Sequence, residues 1–241
     1  MTTARRIALI LGLAVVAGMV LAAVLLLTLG LRTGSFALAV LAVTVVAVYH
    51  RLIHPWHVAW GATREEVRRV LPGDHLVPAA GGTTRAISIA APPAQVWPWL
   101  VQIGLGRAGW YSYDWIDNGG RPSATTILPE HQHLAVGDRI PMTPELGFDV
   151  VGVERDRSLV SLSGDGSTSW CLVLDPDGHG GTRLISRFRA AVTPSVAAVL
   201  WSMVTDPGAF IMERRMLKGI KRRAEATAAP LTNQGGPAAR R

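Results

Sequence analysis

The stretch that decides the fold is residues 87–97, which read ISIAAPPAQVW. Ile87 and Ile89 alternate with smaller residues, and this period of two is typical of a half-buried β-strand. Two consecutive prolines end the strand, and proline suits the first turn of a helix because its missing N–H would have no partner there. Apolar residues then recur at helical spacing. The sequence therefore predicts a strand over residues 84–90 and a short helix over residues 93–103.

Five further strands are predicted downstream, where short apolar segments are separated by tight turns and no helix intervenes. Strands that follow one another this closely pair antiparallel. A last helix is predicted from Asp206, as N-cap, and Pro207, at the first helical position, to about residue 226. The fold class is therefore α+β, with a curved antiparallel sheet that closes its apolar face against a long C-terminal helix. The five strands are predicted at residues 139–141, 148–154, 158–163, 169–174 and 182–190.

Charge is unevenly distributed along the 241 residues, whose net charge of +7 comes from 24 Lys and Arg against 17 Asp and Glu. The first acidic residue is Glu65, so the N-terminal quarter contains no carboxylate side chain and differs sharply in charge from the rest of the chain. A hydrophobic content of 49% excludes a disordered chain. The single cysteine, Cys171, excludes a disulfide-stapled secreted module and a zinc protein with clustered thiolates.

Two uncharged runs fill the N-terminal quarter, residues 7–31 and 33–49, with Arg32 between them. At ~1.5 Å rise per residue the first run exceeds the ~30 Å hydrocarbon core of a bilayer, and the second is at the short limit. A secretory signal peptide is the alternative for the first run, but that run is too long and a second apolar run follows at once. We expect a transmembrane hairpin within residues 1–60, with helices at about 7–31 and 33–50.

Cations flank the hairpin mainly on the side of its two ends, with Arg5 and Arg6 before it and Arg51 after it, whereas the turn carries Arg32. By the positive-inside rule, both termini and the soluble domain then face the cytoplasm. The expected location is the inner membrane, crossed twice.

The rest of the chain is expected to form a connector, a domain and a tail. The connector covers residues 61–82 and opens with a capping box, in which Thr63 is the N-cap and Glu66 lies three residues on. The α+β domain covers residues 83–226. Residues 227–241 are rich in Ala, Pro and Gly and are expected to be disordered.

Three segments resemble a known family: residues 87–97, quoted above, residues 109–115 (GWYSYDW) and residues 213–223 (ERRMLKGIKRR). They are similar to segments of the START-like superfamily (SRPBCC, polyketide cyclase/dehydrase type), and in particular of a membrane-tethered bacterial subgroup. The resemblance covers about residues 63–226 and implies the helix-grip fold. Because that fold hosts lipid carriers, hormone receptors and ring cyclases, the resemblance implies no particular activity.

In helix-grip relatives the segment after the first helices helps to line the mouth of the cavity, which implies ligand contacts in this part of the chain. In this hypothesis Tyr111 and Asp114 supply polar contacts, and aromatic rings supply walls for a largely apolar ligand. The alternative is that the rings pack in the core or at its rim and that Asp114 caps the following turn. The candidate ligand-binding residues are Trp110, Tyr111, Tyr113, Asp114, Trp115, Trp170 and Phe188.

A second group of candidates is expected at the membrane surface, because tryptophan suits the headgroup layer and cations attract anionic lipid. Its members are Trp56, Trp60, Arg214, Arg215, Lys218, Lys221 and Arg222. The alternatives for the basic face of the last helix are an ordinary solvated face and nucleic-acid binding, and no recognised motif supports the latter. Arg183, Arg187 and Arg189 alternate along a predicted strand, which favours a solvated outer face over an arginine inside the cavity.

The function expected from the sequence is a membrane-anchored START-like domain that binds a hydrophobic small molecule or lipid. The enzymatic alternative is a cyclase or aromatase acting on a polyketide-type substrate, which would need Tyr111, Asp114 or His131 to face the cavity as an acid–base group. His131 and His133 would share a face on a strand, although exposed loop histidines are the simpler interpretation. A non-catalytic scaffold for membrane assembly or stress response is the third possibility. No metal ion, cofactor or nucleic acid is expected as a partner.

Overall fold

The computed structural model describes residues 3–78, 80–191 and 195–232. It divides into two compact units, Met1–Trp56 (unit 1) and His57–Arg241 (unit 2). The boundary falls four residues before the expected end of the hairpin segment at residue 60.

Unit 1 is almost entirely helical, as expected for a segment without acidic residues and with few cations. It contains α1 (Thr3–Val48), a π-helical turn (Tyr49–Ile53) and the start of α2 (His54–Val58). In the described residues one helical stretch, Val16–Val58, is long and apolar enough to cross a membrane. The expected hairpin of two separate helices is not confirmed, because α1 continues past Arg32. Gly30 within α1 nevertheless departs from helical geometry, with φ 75° and ψ 164°.

Unit 2 contains one antiparallel six-stranded sheet, which confirms the α+β class and the predicted strands. The strand order is β1-β6-β5-β4-β3-β2, so the first strand pairs with the last. A register shift between Val150 and Gly152 is a β-bulge, which bends the sheet. In chain order the elements are α3 (Arg64–Arg68), a 3-10 turn (Asp74–Leu76), β1 (Ala80–Ile89), α4 (Pro93–Val101), α5 (Asp114–Asp117), a second 3-10 turn (Pro129–His131), β2 (Arg139–Pro141), β3 (Gly147–Glu154), β4 (Ser158–Ser163), β5 (Thr168–Pro176), β6 (Thr182–Ala191) and α6 (Val196–Thr232).

The inner face of the sheet, defined as the face that packs on α4 and α6, carries the main core. Its apolar side chains come from alternate positions of the strands, such as Leu172 and Leu184, because successive residues of a strand point to opposite faces. They pack with Leu100 of α4 and with Leu217 and Ile220 of α6. This packing is the main reason that α6 lies along the sheet.

The outer face of the sheet is covered by the connector. Leu71 of the connector packs with Val160, Cys171 and Ile185 of the sheet. The connector also runs along the free edge of β1, where Ala86 N donates to Trp60 O over 3.1 Å. Gly61 is required there, since its φ is 73° and a Cβ would lie 2.1 Å from Ala86 O. The predicted capping box of Thr63 and Glu66 opens α3.

The arginines of β6 lie on this outer face, as predicted, but they are not simply solvated. Arg183 donates to Glu66 over 2.7 Å, and Arg189 donates to the carbonyls of Val77 and Pro78. Arg187 is almost fully buried, with 6% of its side chain exposed. It donates to five acceptors at 2.6–3.0 Å, namely Thr84 Oγ1, Asp74 Oδ2 and the carbonyls of Glu66, Val67 and Arg69. The expected solvated face is therefore where the sheet holds the connector.

The last helix starts eleven residues earlier than the sequence predicts, at Val196 and not at Pro207. The Asp206–Pro207 pair has the local form of a helix start, yet α6 begins at Val196 and passes through it. Pro207 lacks the N–H that would bond Met203 O, and its ring crowds that carbonyl. The packing of the second half of α6 on the sheet offsets this local cost. The helix continues to Thr232, past the expected domain end at residue 226, and residues 233–241 of the expected disordered tail lie outside the described residues. His131 lies in a 3-10 turn and not on a strand.

Substitution of Arg187 by Met should lower the free energy of unfolding of the full chain in detergent by about 3–5 kcal/mol, because Asp74 would stay partly buried without its partner. The measurement is chemical denaturation followed by tryptophan fluorescence. Arg139→Met is the control, since the Arg139–Asp149 pair is 45% and 44% exposed and such pairs contribute about 0–1 kcal/mol. Equal losses for the two variants would contradict the role given to Arg187.

Candidate functional site

Four aromatic rings meet on the inner face of the sheet and form the aromatic cluster: Trp110, Phe148, Trp170 and Phe188. Trp170 and Phe188 are cross-strand partners, and their rings stack at 5.2 Å with 6° between the planes. Phe148 lies 5.8 Å and 6.0 Å from these two rings, and Trp110 lies 5.9 Å from Trp170, all measured between ring centroids. Phe148 and Trp170 belong to the main core, and the half-buried rings of Trp110 and Phe188 pack against it.

A buried ion pair, Arg85–Glu213, lies beside this cluster. The two side chains are 2% and 7% exposed, and Arg85 Nη1 donates to Glu213 Oε2. Arg85 Nε donates to His57 O over 2.8 Å, and the guanidinium carbon lies 5.4 Å from the centre of the Phe210 ring. The pair thus joins β1 to α6 in surroundings that are otherwise largely apolar.

The aromatic cluster and the ion pair are connected through Ser186. Ser186 is the cross-strand partner of Arg85, and its Oγ accepts a hydrogen bond of 3.0 Å from Trp170 Nε1. Burial raises the pKa of Glu213, while the charge of Arg85 and a hydrogen bond with the Ser186 side chain oppose the rise. Carboxylate, guanidinium, hydroxyl and indole therefore form one polar strip along the apolar inner face.

Two polar atoms of the ion pair are buried without a hydrogen-bond partner among the described residues: Arg85 Nη2, a donor, and Glu213 Oε1, an acceptor. A buried polar atom left in this state costs about 1–3 kcal/mol, so native proteins usually satisfy such atoms with protein, water or ligand. A donor and an acceptor on one ion pair match a group that both accepts and donates, such as a hydroxyl. This pair is the strongest candidate for a polar contact to a ligand.

The structure brings together only some of the candidate ligand-binding residues. Trp110, Trp170 and Phe188 are in the aromatic cluster. Trp115 is 40% exposed. The other three, Tyr111, Tyr113 and Asp114, take part in a different network, which holds the loop around α5 against α4 and α6.

Tyr111 is the centre of that network. Its hydroxyl accepts from Gln102 Nε2 over 2.8 Å, its ring packs edge-on against Trp99, and the Arg223 guanidinium carbon lies 4.4 Å from the ring centre. Burial raises the pKa of Tyr111 far above its ordinary value. Its backbone has a positive φ of 54°, and a Cβ at Gly219 would lie 2.3 Å from Tyr111 O, so α6 passes directly against it.

Asp114 and Tyr113 also have partners within the protein. Asp114 accepts from the backbone N–H of Ser123 over 3.0 Å and from its hydroxyl. The guanidinium carbon of Arg215 lies 4.4 Å from the centre of the Tyr113 ring. In the described structure, the polar group of Tyr111 and the carboxylate of Asp114 are thus used to fix the loop.

The candidate membrane-surface residues are found in several environments. Trp56 is 58% exposed, whereas Trp60 is half-buried, with Arg214 and Lys218 over its ring at 5.1 Å and 6.0 Å. Lys221 donates to Ser88 O over 2.8 Å. Arg215 and Arg222 are the exposed cations of this group.

Sequence reasoning missed the ion pair, although a signal for each partner was present. Arg85 has the same strand parity as Ile87 and Ile89, which places it on the apolar face. Glu213 lies on the apolar stripe of the last helix. A charge within each of two apolar faces that must meet predicts a buried pair.

Substitution of Glu213 by Leu should lower the free energy of unfolding by about 3–5 kcal/mol, because it leaves Arg85 buried and unpaired. The double variant Arg85→Met with Glu213→Leu removes both charges and should lie within about 1–2 kcal/mol of the natural chain. Chemical denaturation measures both. A double variant as unstable as the single variant would show that the charges are not compensating each other.

The stability of unit 2 should depend on pH through Asp117, and the sign of this dependence follows from the pKa of that residue. Burial and then the charge of Asp114 raise its pKa from 3.8 to about 6. The folded state holds this proton more tightly than the unfolded chain, so the favourable contribution is present below pH 3.8 and is lost as the pH rises through about 6. Asp117→Asn should therefore raise the melting temperature above about pH 6 and leave it unchanged near pH 4.

The control for Asp117 is Asp165→Asn. Hydrogen bonds from Ser163 and Ser167 lower the pKa of Asp165 to about 2. Loss of its charge should therefore lower the melting temperature at neutral pH, which is the opposite sign. The same sign in both variants would contradict the assignment to Asp117.

Comparisons with known proteins give structural neighbours only. No protein-family model and no curated protein matches the sequence. The Polyketide_cyc-like protein Cgl2372 from Corynebacterium glutamicum is 18% identical over 67% of this chain and 99% of its own, with a TM-score of 0.33. CalU16 from Micromonospora echinospora is 21% identical over 65% of this chain and 93% of its own, with a TM-score of 0.34. The KanY protein is 13% identical over 61% of this chain and 98% of its own, with a TM-score of 0.42.

Proposed function

We propose that this chain is a membrane-anchored protein whose α+β unit binds a hydrophobic small molecule or lipid between the inner face of the sheet and α6. The observation that carries the proposal is the buried Arg85–Glu213 pair, with a free donor and a free acceptor beside a cluster of aromatic rings. The aromatic cluster supplies the apolar contact, and the ion pair supplies the polar contact. The ligand is therefore an apolar molecule with one hydroxyl-like group.

This proposal gives the seven candidate ligand-binding residues different parts. Trp110, Trp170 and Phe188 contact the apolar body of the ligand. Tyr111, Tyr113, Asp114 and Trp115 hold and border the loop that leads to the site. Arg85 and Glu213 supply the polar contact in place of Tyr111 and Asp114, because Tyr111 and Asp114 already have partners within the protein.

The anchor is proposed to cross the membrane twice, with the turn at Gly30. An unbroken helix of 46 residues would measure ~69 Å, about twice the ~30 Å hydrocarbon core. A Cβ at Gly34 would lie 2.8 Å from Leu25 O and 2.9 Å from Leu26 Cα, although nine residues of straight helix would separate these positions by ~13 Å. These distances favour two antiparallel passes, about residues 7–31 and 33–50.

The flanking cations support an orientation with both termini in the cytoplasm. Arg5, Arg6 and Arg51 lie at the ends of the two passes, on the side that cations prefer. Trp56 follows at the level of the headgroups, which suits its exposed ring. We therefore place the protein in the inner membrane, with unit 2 on the cytoplasmic side.

Native mass spectrometry of the detergent-purified full chain tests the proposal. The natural chain should carry an apolar molecule as a mass adduct. The double variant Arg85→Met with Glu213→Leu should remain folded and lose most of that adduct, because it lacks the polar contact. Arg139→Met, on the exposed side of the sheet, is the matched control and should keep the adduct.

Two results would contradict the proposal. Repeated absence of any adduct from the natural chain would remove the hydrophobic ligand. An adduct retained at the natural level by the folded double variant would show that Arg85 and Glu213 have a structural role and do not contact the ligand.

A further inference from the structure

The first part of α6 has an unusual composition for a soluble unit. Residues 190–205 contain no charged side chain, and α6 starts within this run at Val196. Trp201, in its middle, is 69% exposed. A tryptophan with its ring this far in solvent, inside an uncharged helical segment, indicates a surface that meets something other than water.

Exposed residues of α6 follow one side of the helix from this segment onward. Trp201, Arg215 and Arg222 are separated by multiples of seven residues, which is about two turns, and Ile211 lies about one turn before Arg215. All four are exposed, Ile211 at 51%. We define these four residues as the exposed stripe. Its first half is apolar and its second half is basic.

Of the three carboxylates of α6, two are paired within the protein and the third lies on another side of the helix. Glu213 is buried with Arg85, and Glu225 accepts from the backbone N–H of Ala90. Asp206 lies five residues after Trp201, about 140° around the helix. The stripe therefore offers only apolar and positive groups, which complements a surface with an apolar interior and negative groups outside.

We infer that the exposed stripe is a docking surface for an anionic lipid bilayer, with Trp201 and Ile211 in the headgroup layer and Arg215 and Arg222 beside the phosphates. The inference rests on the proposed membrane anchor. Unit 2 starts at the residue that follows unit 1, so an inserted anchor holds unit 2 beside the bilayer at a high effective concentration. Tryptophan and arginine together are the residues that such an interface favours.

The test uses the full chain with one fluorescent label, reconstituted into vesicles of equal parts phosphatidylcholine and phosphatidylglycerol. Trp201→Cys and, separately, Ile211→Cys carry an environment-sensitive NBD label on the introduced thiol. The natural cysteine does not compete, because Cys171 is buried and burial raises its pKa to about 12. Arg155→Cys, in the exposed turn between β3 and β4, is the control position.

Labels at residues 201 and 211 should show blue-shifted emission and should be quenched by nitroxide-bearing lipids, whereas the label at residue 155 should show neither effect. Pure phosphatidylcholine vesicles should reduce the quenching at residue 211, because the cations then lose their partners.

A chain that floats with the vesicles but shows equal quenching at all three positions would overturn the docking surface and leave the anchor intact. A blue shift without quenching by lipid would assign the stripe to a protein contact and would also overturn it. A chain that does not float with the vesicles would overturn the anchor, and the docking surface with it.

Discussion

The burial of two opposite charges, Arg85 and Glu213, is a constraint that the arrangement of unit 2 has to satisfy. Their ion pair joins β1 to α6 across 128 residues of sequence, in the interior, where each charge alone would be costly. The pair requires α6 to lie across the inner face at a fixed register. At this register the backbone of Tyr111 leaves no space for a side chain at residue 219, which is glycine. The aromatic cluster lies on the same face of the sheet as α6. In the proposed function, the two atoms of the pair that have no partner among the described residues also supply the polar contact to the ligand.

Much of the fold could be predicted because the strands are short and clearly bounded. The limits of β2 and β4 agree with the sequence pattern, since turn residues directly precede and follow each strand. The start of α6 could not be predicted in this way. Asp206 and Pro207 have the local form of a helix start, and only the contacts of the whole helix show that they lie inside it. Local patterns describe hydrogen bonding over a few residues, whereas tertiary packing decides how far a helix extends.

Less of the site could be predicted. Trp110, Trp170 and Phe188 were identified as candidates from their aromatic character, and they do meet in the structure. The Arg85–Glu213 pair could not be predicted from either residue alone, because a single charge on an apolar face does not identify its partner. The two residues are 128 positions apart, so the pair depends on a long-range contact. The position of Tyr111 follows from a positive φ, a backbone state that its residue type does not indicate. Arg187 shows the same limit on the outer face, since its five acceptors come from the connector and from β1.

The strand order has a consequence for how the chain is made. In the part of the chain that the structure describes, β6 is the one strand that pairs with β1, and Arg85 pairs with Glu213 of α6. Both partners of β1 therefore leave the ribosome late. Helix α1 precedes unit 2 in the chain, so it leaves the ribosome while unit 2 is still incomplete. During that interval β1 lacks its partner strand, and the hydrogen bond from Ala86 N to Trp60 O lies along its other edge. Synthesis of β6 and α6 therefore completes both the pairing of the first strand and the core, so unit 2 folds only after both elements have been made.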